Sequence, residues 1–136
     1  MLHEIFKGMD NSAEQINDNF ENGSIVEHNL NEPNPERGYY VRYGNGLQVC
    51  WHKLEVDINT SIAMGSAYRT ERRTWDYPKP FIESPFFDPK STGVYGRWGV
   101  VLDEPEKETA HYSIMGFTNT QTLNGVSLLA IGRWKE

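Results

Sequence analysis

GYYVRYGNGLQVCW, residues 38–51, is the stretch that decides the fold class of this chain. Apolar and polar side chains alternate on both sides of Gly44-Asn45-Gly46, as in two strands joined by a tight turn. A two-residue turn would separate Val41 and Trp51 onto opposite faces, whereas a three-residue turn with Gly46 in the left-handed region pairs Val41 with Val49. The longer turn gathers the large apolar groups on one face, so we predict that register. The residues predicted to face the core are Tyr39, Val41, Tyr43, Val49 and Trp51.

Short aromatic and β-branched runs continue to the end of the sequence and are separated by Gly, Asn and Pro turns. They predict strands at about residues 61–68, 73–77, 94–102, 109–118 and 126–134. The last strand lies in NGVSLLAIGRW, residues 124–134, whose nearly continuous apolar run is typical of a strand covered on both sides. WDYPKPFIESPFFDP, residues 75–89, holds four prolines. It is predicted to be a strand end followed by an extended crossover. About seven strands at this spacing indicate an antiparallel β-sandwich.

The first 23 residues carry a helical pattern instead. One continuous amphipathic helix from about Leu2 to Phe20 fits the sequence, and Gly23 is placed to end it. Gly8 weakens the interior of such a helix, and a capping-box pattern begins at Asn11. The alternative is therefore a helix that kinks or starts again near Asn11. The apolar residues recur at steps of three and four and fall within an arc of about 100°. The residues of this apolar stripe are Leu2, Ile5, Phe6, Met9, Ala13, Ile16 and Phe20.

Residues 24–37, SIVEHNLNEPNPER, contain two prolines and read as a linker or an edge segment. The predicted organisation is an attachment helix at 1–23, a linker at 24–37 and a β-sandwich at 38–136. The helix could pack on its own sandwich or on a partner, but Ser12 and Asn19 make it a poor coiled coil. We favour docking outside the sandwich, because such a linker reaches up to ~3.3 Å per residue.

Composition excludes some classes of function. The chain has 136 residues and a net charge of −6, which argues against a nucleic-acid partner because a basic stripe is missing. No apolar run is long enough to insert in a membrane, and the start lacks the pattern of a signal peptide. A single cysteine is compatible with synthesis in a reducing cytoplasm.

The sequence contains no catalytic signature. Cys50 and His52 share a strand face but would stand about 6.6 Å apart along it, too far for a nucleophile and its base. Metal-ligand spacing and cofactor-binding motifs are also missing, so we predict no metal and no cofactor. Paired carboxylates cannot be selected from 19 acids, which leaves a polysaccharide hydrolase as an unsupported alternative.

Aromatic residues beside charged ones are the candidates for ligand binding. Rings stack on sugars, and neighbouring charges donate or accept hydrogen bonds. The more frequent alternative is that these rings fill the core of the sandwich. The residues predicted to bind a ligand are Trp75, Tyr77, Arg97 and Trp98.

Several stretches resemble proteins of phage tails. MDNSAEQINDNF at 9–20 is similar to the opening helix of tail and baseplate proteins. Three further motifs resemble the C-terminal domains of tail-fibre and receptor-binding proteins of siphophages that infect Gram-positive bacteria, Bacillus in particular. These motifs are GYYVRYGNGLQVCW at 38–51, WDYPKPFIESP at 75–85 and LLAIGRWK at 128–135.

The resemblance implies a non-enzymatic component of the virion tail tip, made in the host cytoplasm, that helps to recognise the host surface. It implies a β-sandwich like those of lactococcal phage receptor-binding proteins, often in homo-oligomers, with a trimer favoured. The implied partners are other tail proteins and a host wall polymer, either saccharide or teichoic acid. A structural adaptor without its own ligand is the alternative.

Overall fold

Ten strands make up the regular structure of residues 23–136, the part of the chain that this computed structural model describes. The helix predicted over residues 1–23 and its apolar stripe lie almost wholly outside the described residues. All strand pairs are antiparallel. The strands are β1 (Ile25–His28), β2 (Tyr39–Tyr43), β3 (Leu47–Asn59), β4 (Ile62–Met64), β5 (Ala67–Arg69), β6 (Arg73–Asp76), β7 (Phe86–Thr92), β8 (Arg97–Leu102), β9 (Thr109–Gly116) and β10 (Gln121–Arg133).

The strands form two five-stranded sheets. The first sheet has the order β1-β2-β3-β10-β7. In the second sheet β9 is central, with β5 and β6 along one edge and β8 along the other, while β4 extends the sheet beyond β5. One buried cluster combines residues of both sheets, including Cys50 and Leu128 from the first and Trp75 and Tyr112 from the second. The predicted mainly-β fold of two antiparallel sheets is therefore confirmed.

The β2–β3 hairpin has the predicted register but the opposite orientation. Val41 pairs with Val49, and Gly46 has a φ of 97°. The residues that point into the core, however, are Tyr40, Gln48 and Cys50. The prediction that Tyr39, Tyr43, Val49 and Trp51 face the core was wrong, because these side chains are only half-buried and lie outside the core cluster. Val41 is buried, at 4% exposure, but it is not part of that cluster either.

The reason lies further along β3. Its second half, LEVDI at 54–58, places its apolar residues at even positions. Thirteen consecutive residues of β3 pair with β10 without a bulge, so the facing of Ile58 also determines the facing of Gln48. The amide of Gln48 is satisfied in the core, because its Nε2 donates to the carbonyl oxygens of Lys79 (3.0 Å) and Pro80 (3.3 Å).

The predicted linker at 24–37 is in part a strand. β1 pairs with β2, and the side chain of Asn29 continues the connection by accepting from the Tyr40 amide and donating to the Gly38 carbonyl. The edge-segment alternative is therefore correct for residues 25–28. Residues 25–28 are therefore held in the sheet and do not serve as a linker.

Two further predictions need correction. The single strand expected at 61–68 is two short strands, β4 and β5, which turn at Gly65. The proline-rich stretch also contains a strand that was not predicted, β7. Pro89 is tolerated there because β7 lies at the edge of the first sheet and hydrogen-bonds only to β10.

The two sheets come closest along β7 and β8. A Cβ atom at Gly99 would lie 2.2 Å from the carbonyl oxygen of Pro89, so only glycine fits between these backbones. Inside, Phe87 contacts Trp75 and Tyr112 with ring centroids 5.9 and 6.1 Å apart. These contacts link the edge of the first sheet to the centre of the second.

Candidate binding surface

The chain enters and leaves the sandwich at one end, and loops with exposed aromatic rings form the other end. The hairpin end holds the 44–46 turn and the 103–108 turn, and the chain joins the fold there. Gly44 donates to the carbonyl of Ser24, and Trp134 donates to the carbonyl of Gly46. Whatever precedes β1 or follows β10 therefore leaves from this end.

The opposite end, the loop end, is formed by residues 60–61, 93–96 and 117–120. Thr60 joins two of these loops, since its amide donates to the carbonyl of Thr120 and its hydroxyl donates to that of Thr118 (2.7 Å). β3 runs between the two ends, and its 13 residues at ~3.3 Å each give a separation of roughly 40 Å. The loop end is thus the part of the domain furthest from its connection.

Exposed aromatic rings cluster at the loop end. Tyr95 is fully exposed in the β7–β8 turn, and Phe117 is 67% exposed after β9. The half-buried ring of Trp98 packs against Phe117 with centroids 5.0 Å apart. We call Tyr95, Trp98 and Phe117 the aromatic tip. Rings that present a free face to solvent can stack on the apolar face of a sugar.

Arg97 supports the aromatic tip from inside. Its Nη2 donates to the carbonyl oxygen (2.9 Å) and the hydroxyl (3.0 Å) of Thr120, and its Nη1 donates to Asn124. Desolvation lowers the pKa of Arg97, although a guanidinium remains charged at neutral pH. Arg97 therefore positions the loops, and most of its donors are used within the protein.

Two of the four predicted ligand residues are core residues. Trp75 and Tyr77 are 3% and 2% exposed. The indole of Trp75 donates to the carbonyl of Arg37, and the hydroxyl of Tyr77 donates to the carbonyls of Glu106 and Thr109. Burial raises the pKa of Tyr77. Neither ring has a face free for a sugar, so the more frequent core alternative holds for both.

The other two predicted residues, Arg97 and Trp98, lie together at the loop end, away from Trp75 and Tyr77. Tyr95 and Phe117 were missed. The available signal was their position, because Tyr95 lies between Gly93 and Gly96, and Phe117 stands between Gly116 and the polar run TNT. A large aromatic residue inside a turn has few neighbours to cover it.

A polar groove lies beside the loop end, between the end of β3 and the β5–β6 connection. Its volume is about 300 Å³, and Asp57, Asn59, Ser61, Glu71 and Arg73 are among its lining residues. Among the described residues, the carboxylates of Asp57 and Glu71 form no salt bridge. Arg73 donates through its Nε to the hydroxyl of Tyr112 (3.2 Å), and its guanidinium carbon lies 5.8 Å from the centroid of the Tyr112 ring. The groove thus offers acceptors and donors for a polyhydroxylated ligand.

The thiol of Cys50 is unsuited to nucleophilic chemistry. It is completely buried, and burial raises its pKa to about 12. Its contacts are the amide of Gln48 (3.4 Å) and the carbonyl of Lys79 (3.9 Å). At neutral pH the thiol is protonated, whereas the nucleophile is the thiolate. Burial also lowers the pKa of His52.

Residues 23–136 offer neither a metal-binding cluster nor a membrane-spanning helix. They contain no group of three or more His, Cys, Asp or Glu residues that could hold a metal ion. No helix in this part of the chain is long and apolar enough to cross a membrane.

The fold is similar to that of pyocin fibres. One solved structure, the P. aeruginosa R1 pyocin fibre comprising C-terminal residues 323–701, matches with a TM-score of 0.52 and 14% identity, over 69% of this chain and 25% of that one. An N-truncated R1-type pyocin tail fibre matches with a TM-score of 0.60 and 14% identity, over 88% of this chain and 95% of that one. This chain thus spans a quarter of the first fibre and nearly all of the second.

At this level of identity the likeness shows a shared fold. No protein-family model and no curated protein matches the chain.

Proposed function

We propose that this protein is a tail-fibre component of a phage or phage-like particle and that it contacts the host surface with its loop end. The observation that carries the proposal is the opposition of the two ends. The chain joins the fold at the hairpin end, while Tyr95 and Phe117 are exposed roughly 40 Å away at the loop end. The fold shared with pyocin tail fibres and the resemblance of the sequence to tail-tip proteins support the same conclusion.

The proposed ligand is a host wall polymer, either saccharide or teichoic acid, of a Gram-positive host such as Bacillus. The aromatic tip would stack on sugar rings. The groove beside it would accept hydrogen bonds from hydroxyl groups through Asp57 and Glu71, and Arg73 would donate to sugar or phosphate oxygens. Binding of this kind needs no bond to be broken, so we propose a non-enzymatic role without metal or cofactor.

The hairpin end is the proposed side of assembly with other tail proteins. The support for this side is that both Ser24, before β1, and Trp134, after β10, are hydrogen-bonded to the 44–46 turn at that end. A homo-oligomer, with a trimer favoured, would place several loop ends side by side. Several weak sites that engage one polymer bind more tightly than a single site.

Retention on purified Bacillus cell walls, with and without teichoic acid, tests the proposal. We expect the wild-type chain to be retained and the double variant Tyr95→Ala/Phe117→Ala to lose at least tenfold in retention. Phe86→Ala is the matched control, because Phe86 is also 67% exposed but lies on the outer face of β7. We expect this control to bind like the wild type.

Three outcomes would contradict the proposal. Equal retention of the double variant and the control would show that the aromatic tip does not contribute to wall binding. No retention of the wild type on walls of any tested host would favour an adaptor without its own ligand. Release of soluble sugar from the walls, abolished by a point substitution, would show a hydrolase.

A further inference from the structure

The outer face of the first sheet is apolar over its half nearest the hairpin end. Cross-strand pairs place these side chains in two adjacent rows that span β2, β3 and β10. The rings of Tyr39 and Trp51 stack with centroids 5.3 Å apart and an angle of 11° between their planes. Phe86 on β7 extends one row to the edge of the sheet. The residues of this surface, which we call the outer apolar face, are Tyr39, Val41, Val49, Trp51, Leu129 and Ile131.

The outer apolar face ends at a sharp chemical boundary. The next row toward the loop end is Lys53, Ser127 and Lys90, each paired with its neighbour across the sheet. Beyond it, β3 continues outward with Glu55 and Asp57. At ~4.8 Å between strands, the apolar part is about 15–20 Å wide. Five of the six side chains are half-buried, and Val41 is only 4% exposed although it lies outside the core cluster. A contiguous apolar surface of this kind on a soluble domain is usually covered by another element or a partner.

We propose that residues 1–22 of the same chain cover the outer apolar face. The chain enters the sheet at β1, whose Ile25 pairs with Tyr43 beside this face. Because residues 25–28 are held in the sheet, the segment before them starts at the edge of the apolar surface and not at the end of a long linker. Packing within the protein is therefore favoured over the docking outside the sandwich that the sequence alone suggested.

The length and the polarity of the segment match the surface. A helix from Leu2 to Phe20 would be roughly 28 Å long, enough to cross the width of the apolar rows. Its stripe of seven apolar residues would face the sheet and leave its polar side in water. The segment carries five acidic residues and one lysine. Its negative charge is complementary to Lys53 at the boundary of the face, whereas Lys90 is already paired with Asp88 at 3.5 Å.

The labelling rate of an introduced thiol measures whether the face is covered. In the full chain carrying Leu129→Cys, we expect slow reaction with a maleimide reagent, because residues 1–22 would cover position 129. The native Cys50 is completely buried and gives little background. Adding Ile16→Glu, which places a carboxylate in the apolar stripe, should raise the labelling rate at position 129 at least tenfold.

Two controls make the measurement specific. Asn11→Glu introduces the same group on the polar side of the segment and should leave the rate at position 129 unchanged. Val100→Cys, half-buried on the outer face of the second sheet, should react at the same rate with and without Ile16→Glu.

Two results would overturn the inference. If Ile16→Glu leaves the labelling rate at position 129 unchanged, residues 1–22 do not cover this face. If the protection at position 129 disappears on dilution together with a fall in sedimentation mass, a second copy of the chain covers the face instead. The measurement involves no wall polymer, so it stands apart from the proposed host recognition.

Discussion

Aromatic residues lie at both ends of this domain, yet they have opposite roles. Near the hairpin end, the rings of Trp75, Tyr77 and Phe81 are buried and meet edge to face, with centroids 5.2 and 5.1 Å apart. At the loop end, Tyr95 and Phe117 face solvent. Both groups stand beside turn residues in the sequence. Local composition therefore does not distinguish a core ring from a surface ring. The position of the turn in the tertiary structure decides which rings are covered.

The largest expected effect is at the hairpin end. Tyr77→Ala should lower the free energy of unfolding by about 3–5 kcal/mol, since it removes a buried ring together with the hydroxyl that donates to the carbonyls of Glu106 and Thr109. Urea denaturation followed by fluorescence measures it. Tyr77→Phe keeps the ring and should cost only about 1 kcal/mol. A loss below 1 kcal/mol for Tyr77→Ala would mean that this end is not a packed core.

Arg97 should have the next largest effect, although it lies at the loop end. Arg97→Lys loses the fork that reaches Thr120 and Asn124, so the free energy of unfolding should fall by about 1–3 kcal/mol. Retention on cell walls should fall as well, because the loops that carry the aromatic tip lose their brace. Unchanged stability together with weaker retention would instead indicate that Arg97 contacts the ligand directly.

Alkaline pH should weaken the core around Cys50. The folded state holds the pKa of this thiol at about 12, compared with 9.0 as the unperturbed value. Above pH 9 the unfolded chain releases the proton while the folded chain retains it, so stability falls as pH rises toward 12. The contribution is at most about 1.4 kcal/mol per pH unit.

Cys50→Ala supplies the comparison for this test, because it removes the titrating group and leaves all other ionisable groups in place. The difference in unfolding free energy between wild type and variant should be constant below pH 8 and should shift in favour of the variant between pH 9 and 11. A constant difference over the whole range would show that the thiol is accessible to water.

The smallest effect on stability is expected at the aromatic tip. Tyr95 is fully exposed in its turn, so Tyr95→Ala should leave the thermal midpoint of unfolding unchanged. Differential scanning calorimetry checks this directly. A clear fall in the midpoint would show that the ring is covered, for instance by a second copy, and would remove the contrast between the two ends.

The hairpin shows how far the sequence could be interpreted. The gathering of large apolar groups on one face was enough to choose the three-residue turn, and with it the register of Val41 against Val49. The facing was predicted wrongly, since the first half of β3 has its apolar residues at odd positions and the second half at even positions. Only the unbroken pairing with β10 makes the second half decisive.

The candidate site was predicted in part. Arg97 and Trp98 lie at the loop end as neighbours in β8, whereas Trp75 in β6 and Tyr77 directly after β6 are buried in the core. Phe117 packs against Trp98 only because the 93–96 and 117–120 loops meet at one end, where Tyr95 is also exposed. Contacts between residues far apart in the sequence leave no local pattern.

The sequence by itself determined the class of fold, the register of the hairpin and the absence of a recognisable catalytic motif, because alternation, turn residues and motif spacing are local properties. The tertiary structure decided which face of β3 is the core, which aromatic rings remain free, and that the outer apolar face lies beside the point where residues 1–22 join the sheet. Burial depends on what packs on each side of a strand. Which face of a strand is buried is decided only when strands distant in the sequence pair.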